Sequence, residues 1–430
     1  MKLHILISVL FFYIFTTSFS QNINKLNKIF YGGNFAEAAE TAEKLISEHP
    51  GNAELHYKCG ISFEMINRCK QAEKHLAKAY MLDSLNTVYL NAYANISEIM
   101  QNRKKAVSLY LKTLKIDSVN FNALNNLAKL NFINKNYKKA SAYYLALAKQ
   151  DSLNPYYYRK TGLCKLKQNK PGDALKYYIK AYLTDTTDNL NIQSAASAYL
   201  KTKKYDKAIE MCKKGIKNDS VFPGFYKITG DAHFAKNHYF RAVPFYKKTV
   251  SLGDSSYNTV KRLGISLCET KKYEDALPYN IAVFNADSSS YSNTLYLCRN
   301  YLGLKNYDKS LQYAEKTLKL LRFAKAISHD LYDDMAKAYS GKGEYKKAIE
   351  MYNKRLNVFD NTSKRFKLYN YYNIALNYDK LNDKKNALKY YEKTAKIIKN
   401  GPLFDKENPW YKYSNKRITE IKEDMFFEGE

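Results

Sequence analysis

The stretch Leu124-Asn125-Asn126-Leu127-Ala128-Lys129-Leu130, the turn Asn134-Lys135-Asn136 and the run Tyr137-Lys138-Lys139-Ala140-Ser141-Ala142-Tyr143-Tyr144 decide the fold. Leu124, Leu127 and Leu130 recur at helical spacing, and so do Tyr143, Tyr144 and Leu147. That periodicity predicts two helices joined by a short polar turn. Ala128 and Ala140 are small at points where flanking positions are large. Two helices approach closely only where neither carries a bulky side chain at the crossing.

Working outward, Ala140 belongs to a column with a period of 34: Ala38, Ala72, Ala106, Ala140, Ala174, Ala208, Ala242, Ala276 and Ser310, followed after longer steps by Ala348 and Ala387. A second small column lies twelve residues earlier: Gly60, Ala94, Ala128, Gly162, Ala196, Gly230, Gly264 and Cys298, then Ala336 and Ala375. Such a period means one helix–turn–helix unit, repeated and stacked so that each copy buries a face on its neighbours. An aromatic stands three residues before the alanine in many copies, as at Phe35, Tyr205, Tyr239 and Tyr273, where it plugs the gap between helices. After Ser310 the interval grows to 38 and 39, which predicts longer helices. Pro244 and Pro278 fall near the starts of second helices, where a missing N–H is tolerable but a kink follows. The segment from Asn408-Pro409-Trp410 reads as a last helix whose Trp410, Tyr411, Ile418, Ile421 and Met425 cover the open end.

This pattern resembles the tetratricopeptide repeat: L-x-x-[GA] in the first helix, a turn, then [YF]-x-x-A with an aromatic four residues later, as in Tyr137, Ala140 and Tyr144. The resemblance runs from Asn22 to about Asn400 in eleven units. It implies an all-α fold, an α-solenoid wound as a right-handed superhelix with a C-terminal capping helix. The expected divisions are a leader at 1–20, the repeat array at 21–400 and the cap at 401–430. The family's usual terminal proline survives only at Pro50, and Leu26 replaces a small residue in the first unit, as an atypical end cap would.

Residues 1–20 have the layout of a secretory signal peptide: a weakly basic start, a nearly continuous apolar run from Ile5 to Phe15, and small residues before Gln21. The alternative is an uncleaved anchor. Export to the periplasm or the extracellular space is the expectation, with no membrane span in the mature chain. The six cysteines form no CxxC pair, and Cys59, Cys212 and Cys298 sit at buried phases as small core residues. Cys59 and Cys69 lie in the two helices of one repeat, within reach of a bond in an oxidising compartment.

The net charge of +29 does not read as nucleic-acid binding. Lysine outnumbers arginine six to one, whereas phosphate and base recognition favours the arginine fork. Lysine pairs such as Lys104-Lys105, Lys138-Lys139, Lys203-Lys204, Lys271-Lys272 and Lys346-Lys347 fall at second-helix starts, on a solvated rim. No HExxH, GxxxxGK[ST] or GxSxG occurs, and His233 reads as a half-buried structural histidine. The chain is expected to be no enzyme and to take no cofactor or metal.

Two functional classes remain. The first is a scaffold in the bacterial cell envelope that binds protein or peptide partners. The second is an accessory module of a glycan-handling or polysaccharide-export system. By the family resemblance, the concave groove would be lined by Asn91, Asn95, Asn122, Asn125, Asn126, Lys129, Arg159, Lys160 and Gln193. Amides there pair with a peptide backbone and cations with a carboxylate. Asn95, Asn126 and Lys160 match the carboxylate clamp of peptide-binding tetratricopeptide domains, while Asn91 and Tyr156 stand where that clamp has lysines. At repeat ends, Ser84, Ser118, Ser152, Thr186 and Ser220 follow aspartates in a D-[ST]-x pattern similar to a bacterial O-glycosylation acceptor. The competing reading is a turn aspartate with a hydroxyl that starts the next helix.

Overall fold

The computed structural model describes residues 20–321, 325–358, 363–399 and 408–428, so all but the last residue of the leader lies outside the described residues. Those residues form 23 helices and no strand. Contacts divide the chain into two compact units, one ending at Lys204 and one beginning at Tyr205.

The first unit stacks helix hairpins: α1 (20–31) with α2 (Phe35–Glu48), α3 (Ala53–Met65) with α4 (Cys69–Leu82), α5 (Thr87–Ile99) with α6 (Arg103–Ile116), α7 (Phe121–Ile133) with α8 (Tyr137–Gln150), and α9 (Pro155–Lys167) with α10 (Pro171–Thr184). It ends with α11 (Asn189–Lys201). The second unit opens with α12 (Tyr205–Asn218). Its hairpins are α13 (Pro223–Ala235) with α14 (Tyr239–Ser251), α15 (Tyr257–Glu269) with α16 (Tyr273–Ala286), α17 (Tyr291–Gly303) with α18 (Tyr307–Leu320), α19 (Lys325–Gly341) with α20 (Tyr345–Asn357), and α21 (Lys364–Lys380) with α22 (Lys384–Lys399). α23 (Pro409–Glu428) closes the chain. The longer intervals become longer helices, since α19 and α21 have 17 residues each where most first helices have 13.

Two local devices repeat with the lattice. The first is an N-cap column at Asn52, Asn86, Asn120, Asn154 and Asp188, whose side chains accept from the opening N–H groups of α3, α5, α7, α9 and α11. Each such cap is worth about 1 kcal/mol. The second is the turn between the two helices of a hairpin. Asn67, Gln101, Lys135, Asn169, Lys203, Asn237, Lys271 and Lys305 all hold a left-handed backbone with φ between 57° and 62°. Gly33 and Gly343 occupy the same place in their repeats. In each turn the next N–H reaches back to close the helix end, as Asn136 N–H does to the Asn131 carbonyl at 2.7 Å.

The alanine column is fully buried, from Ala38 to Ala387. The two small columns meet directly at Cys298 and Ser310, whose Sγ and Oγ lie 3.6 Å apart. At Gly162 the tightest approach is not across to Ala174, the alanine of the same hairpin. A β carbon built there would sit 3.0 Å from the ring of Tyr178, one turn beyond Ala174. Gly230 meets Tyr246 in the same way at 2.9 Å. Side chains in a helix lean toward its N-terminus, so the residue one turn later reaches back over the crossing.

Pro244 and Pro278 sit six residues into α14 and α16, past the first turn. Each therefore removes one helical hydrogen bond, and both rings stand on exposed faces where the freed carbonyl meets water. All six cysteines are free, so no Cys59–Cys69 bond is formed. Leu26 is buried beneath α2 and α3. α23 packs on α21 and α22 through Ile418, Ile421 and Met425, while Trp410 stacks on Tyr372 and Arg417 pairs with Asp379 at 2.7 Å.

Candidate binding face

Because the repeat is 34 residues long, equal phases of α3, α5 and α7 lie side by side. They enclose a cleft of about 380 Å³ lined by Tyr57, Asn91, Asn95, Asn120, Asn122 and Asn126 among others. Four of the nine residues singled out by sequence thus come together. Asn91 donates to Asn120 at 2.9 Å, tying α5 to the cap of α7. Asn95 donates to Glu64 at 2.6 Å, and Asn126 donates to the buried Tyr110 hydroxyl at 2.9 Å. Asn122 is exposed on the rim.

Two acceptors are left over, one in the cleft lining and one on Glu64, the partner of the lining residue Asn95. Asn91 Oδ1 and Glu64 Oε2 are buried and have no hydrogen-bond partner among the described residues. Burial pushes the Glu64 carboxyl up from its ordinary value, against the Asn95 hydrogen bond. An unmatched buried acceptor costs about 1–3 kcal/mol, and a ligand carrying N–H groups would recover that.

The other five residues do not join this cleft. Arg159 turns to the next hairpin, 3.5 Å from Asp188 and hydrogen-bonded to Asn191. Lys160 lies over the Tyr156 ring, 5.2 Å from its centre. Asn125 and Gln193 are half-buried, and Lys129 is exposed. Sequence reasoning missed Tyr57, Glu64 and Asn120. The regular N-cap column would have found Asn120.

A second cleft, of about 540 Å³, lies in the second unit between α15, α17 and α19. Arg299 is its centre, 3.2 Å from Asp334, 3.6 Å from Glu269 and 3.7 Å from Asp330. Asp333 is held by Lys337 at 2.7 Å and Arg355 at 3.1 Å. Burial raises the Asp334 carboxyl despite Arg299. Each of these carboxylates is paired with a cation, which makes the cleft a structural ion-pair network. No group of three or more metal-ligating side chains occurs among the described residues. His233 is half-buried and stacks on Phe245, and burial lowers its pKa.

Ser84, Ser118, Ser152, Thr186 and Ser220 are all exposed at the turns between repeats. The aspartates before them are turn residues: Asp117, Asp185 and Asp219 each accept from the N–H two residues on. The hydroxyls do not start the next helix. In the first unit that role belongs to the N-cap residue two positions later.

Residues 192–221, 329–357 and 368–400 match the tetratricopeptide repeat family model, so the chain carries tetratricopeptide repeats. Among solved structures it is similar to the C-terminal part of a TPR repeat-containing protein from Cytophaga hutchinsonii, at 12% identity over 56% of this chain and 98% of that one, with a TM-score of 0.48. A tetratricopeptide repeat protein from Parabacteroides merdae is 16% identical over 58% of this chain and 99% of that one, with a TM-score of 0.39. The APC/C hetero-tetramer Cut9-Hcn1 is 11% identical over 92% of this chain and 95% of that one, with a TM-score of 0.38. No curated protein matches the chain.

Proposed function

We propose that the chain is a non-catalytic interaction scaffold of the bacterial cell envelope that holds an extended segment of a partner protein against α3, α5 and α7. Tetratricopeptide repeats support the scaffold role. One observation carries the choice of face: an amide-lined cleft in which the buried Asn91 Oδ1 lacks a donor, with a second such acceptor, Glu64 Oε2, on the partner of the lining residue Asn95. A peptide main chain supplies N–H groups at regular spacing, and the Tyr57 ring offers an apolar wall. The envelope location is drawn from residues 1–20 alone.

The test is crosslinking in intact cells, with mass spectrometry of what copurifies with the wild type and with N95A/N122A. Asn95 and Asn122 are both exposed and the Asn95–Glu64 bond lies at the surface, so the variant should keep its helical fold, which circular dichroism checks. Loss of one defined protein partner supports the reading. An unchanged partner set refutes the face, and glycan-synthesis enzymes in its place would favour the accessory-module alternative. The exposed Ser84, Ser118, Ser152, Thr186 and Ser220 are proposed as glycan acceptors on the same chain. Intact mass equal to the unmodified polypeptide removes that proposal.

A further inference from the structure

We infer that the edge of the first unit formed by the turns α3–α4, α5–α6 and α7–α8 is a docking surface for an anionic lipid bilayer. Each turn presents the same combination. Arg68 and Lys70, Arg103 and Lys104, and Lys135, Lys138 and Lys139 are all exposed. Beside them the last residues of the three first helices, Met65, Ile99 and Ile133, leave 57%, 46% and 56% of their surface open. No acidic residue lies between Met65 and Ala72, between Ile99 and Ala106, or between Ile133 and Ala140. The nearest carboxylates are engaged or turned inward. Glu64 bonds Asn95, Glu73 holds Lys105 at 2.8 Å, and Glu98 is half-buried.

The charges stand where the fold disfavours them. A helix N-terminus carries the positive end of its dipole, and carboxylates are favoured in its first turn. α2, α10, α12, α16 and α18 follow that rule with Glu37, Asp173, Asp206, Glu274 with Asp275, and Asp308. α4, α6 and α8 carry no acid there and place lysines at the second position, with another at the third in α6 and α8. α14, α20 and α22 also lack an acid there, but α4, α6 and α8 are consecutive second helices and each stands beside an exposed aliphatic side chain, a combination that points to a use outside the fold. Packing supplies a use only for Lys105, which is half-buried and holds Glu73; the other side chains are solvated.

The partner follows from the chemistry. Lysine-rich charge interleaved with exposed aliphatic side chains fits an anionic interface, with ammonium groups at the headgroups and Met65, Ile99 and Ile133 in the acyl boundary. A single-stranded nucleic acid would call for aromatic platforms and arginines, and this edge exposes no large aromatic ring. The surface is separate from the peptide cleft and does not depend on it.

The test is co-sedimentation of the full chain with phosphatidylcholine vesicles, with and without about one part in three of phosphatidylglycerol. Residues 1–20 are present in every sample, so the readout is the gain caused by the anionic lipid. Replacing Arg68, Lys70, Arg103, Lys104, Lys138 and Lys139 by Gln should abolish that gain, at about fivefold per residue. M65S/I99S/I133S should weaken it while leaving its salt dependence intact. Gln at six exposed lysines of the second unit (Lys207, Lys213, Lys214, Lys217, Lys248, Lys271) should leave it within about twofold. Helical circular dichroism of each variant establishes folding. Equal loss in the two charge sets would overturn the proposal, because net charge alone would then be responsible. So would an unchanged gain in the edge variant, or a single-stranded DNA that binds through the same six residues while vesicles do not.

Discussion

His56 and His75 face each other inside the second hairpin of the first unit, with Nδ1 atoms 3.1 Å apart. His56 donates through Nε2 to the Pro50 carbonyl at 3.2 Å, so its Nδ1 accepts and His75 Nδ1 donates. Phe63 stacks on His75, Glu43 lies 3.9 Å from its Nε2, and Lys74 and Lys78 add positive potential. Burial first, then His56 and Lys74, lower the His75 pKa from 6.5 to about 4. The fold therefore stores the neutral ring, and its stabilisation is complete above pH 6.5 and drains away as the pH falls toward 4. Between pH 7 and pH 4.5 this single group costs about 2 kcal/mol, and the lowered His56 adds in the same direction. One repeat later the equivalent pair is Leu90 and Leu109, both buried. Transplanting it as H56L/H75L should leave stability at pH 7 within about 1 kcal/mol of the wild type, since apolar side chains of similar volume refill the site. At pH 4.5 the variant should be the more stable by about 2 kcal/mol. Urea unfolding of both chains at the two pH values reads this, because carboxylates titrate alike in both and cancel. Parallel losses in wild type and variant would refute the buried neutral pair.

Three further outcomes follow from packing and backbone. Lys135→Gly relieves a left-handed lysine at φ 60° and should raise stability by about 1 kcal/mol; a lower melting temperature would contradict it. Ala174→Leu crowds a fully buried crossing, and Gly303→Val drives a branched side chain into the Tyr273 ring. Each should cost roughly 1–3 kcal/mol in chemical denaturation, and no loss would refute the close approach. K104E/K138E restores carboxylates to two first turns and should stabilise by about 0.3–1 kcal/mol each while weakening vesicle binding. Joint loss or joint gain of the two properties would break the link between them.

The alanine column was legible because a close crossing tolerates only small side chains, and deletion of bulk leaves a trace in every copy. The left-handed turn column was not. Lys135, Lys203 and Gln101 carry no signature of positive φ, whereas Gly33 does. The N-cap asparagines were hidden by abundance, in a chain where asparagine is common everywhere. Among candidate site residues, phase alone gathered Asn91, Asn95, Asn122 and Asn126, since equal phases of stacked helices become neighbours. It misassigned Arg159, because the acceptors that capture it, Asp188 and Asn191, belong to the next hairpin. The Arg299 network was out of reach for a different reason. Its members come from three successive first helices, α15, α17 and α19, and only the reach of the Arg299 side chain brings Glu269, Asp330 and Asp334 together.

Five of the free thiols are sealed inside the hairpins, and burial pushes Cys59, Cys212, Cys268 and Cys298 to about 12 and Cys164 to about 11. A sealed thiol reacts with an alkylating reagent only when its own hairpin opens. The chain thus carries a reporter in α3 and α9 of one unit and in α12, α15 and α17 of the other, without any engineering. Labelling followed in time, residue by residue, would chart where unravelling begins along a molecule whose segments otherwise look alike to a spectrometer. Cys69, half-open to solvent, serves as the internal clock.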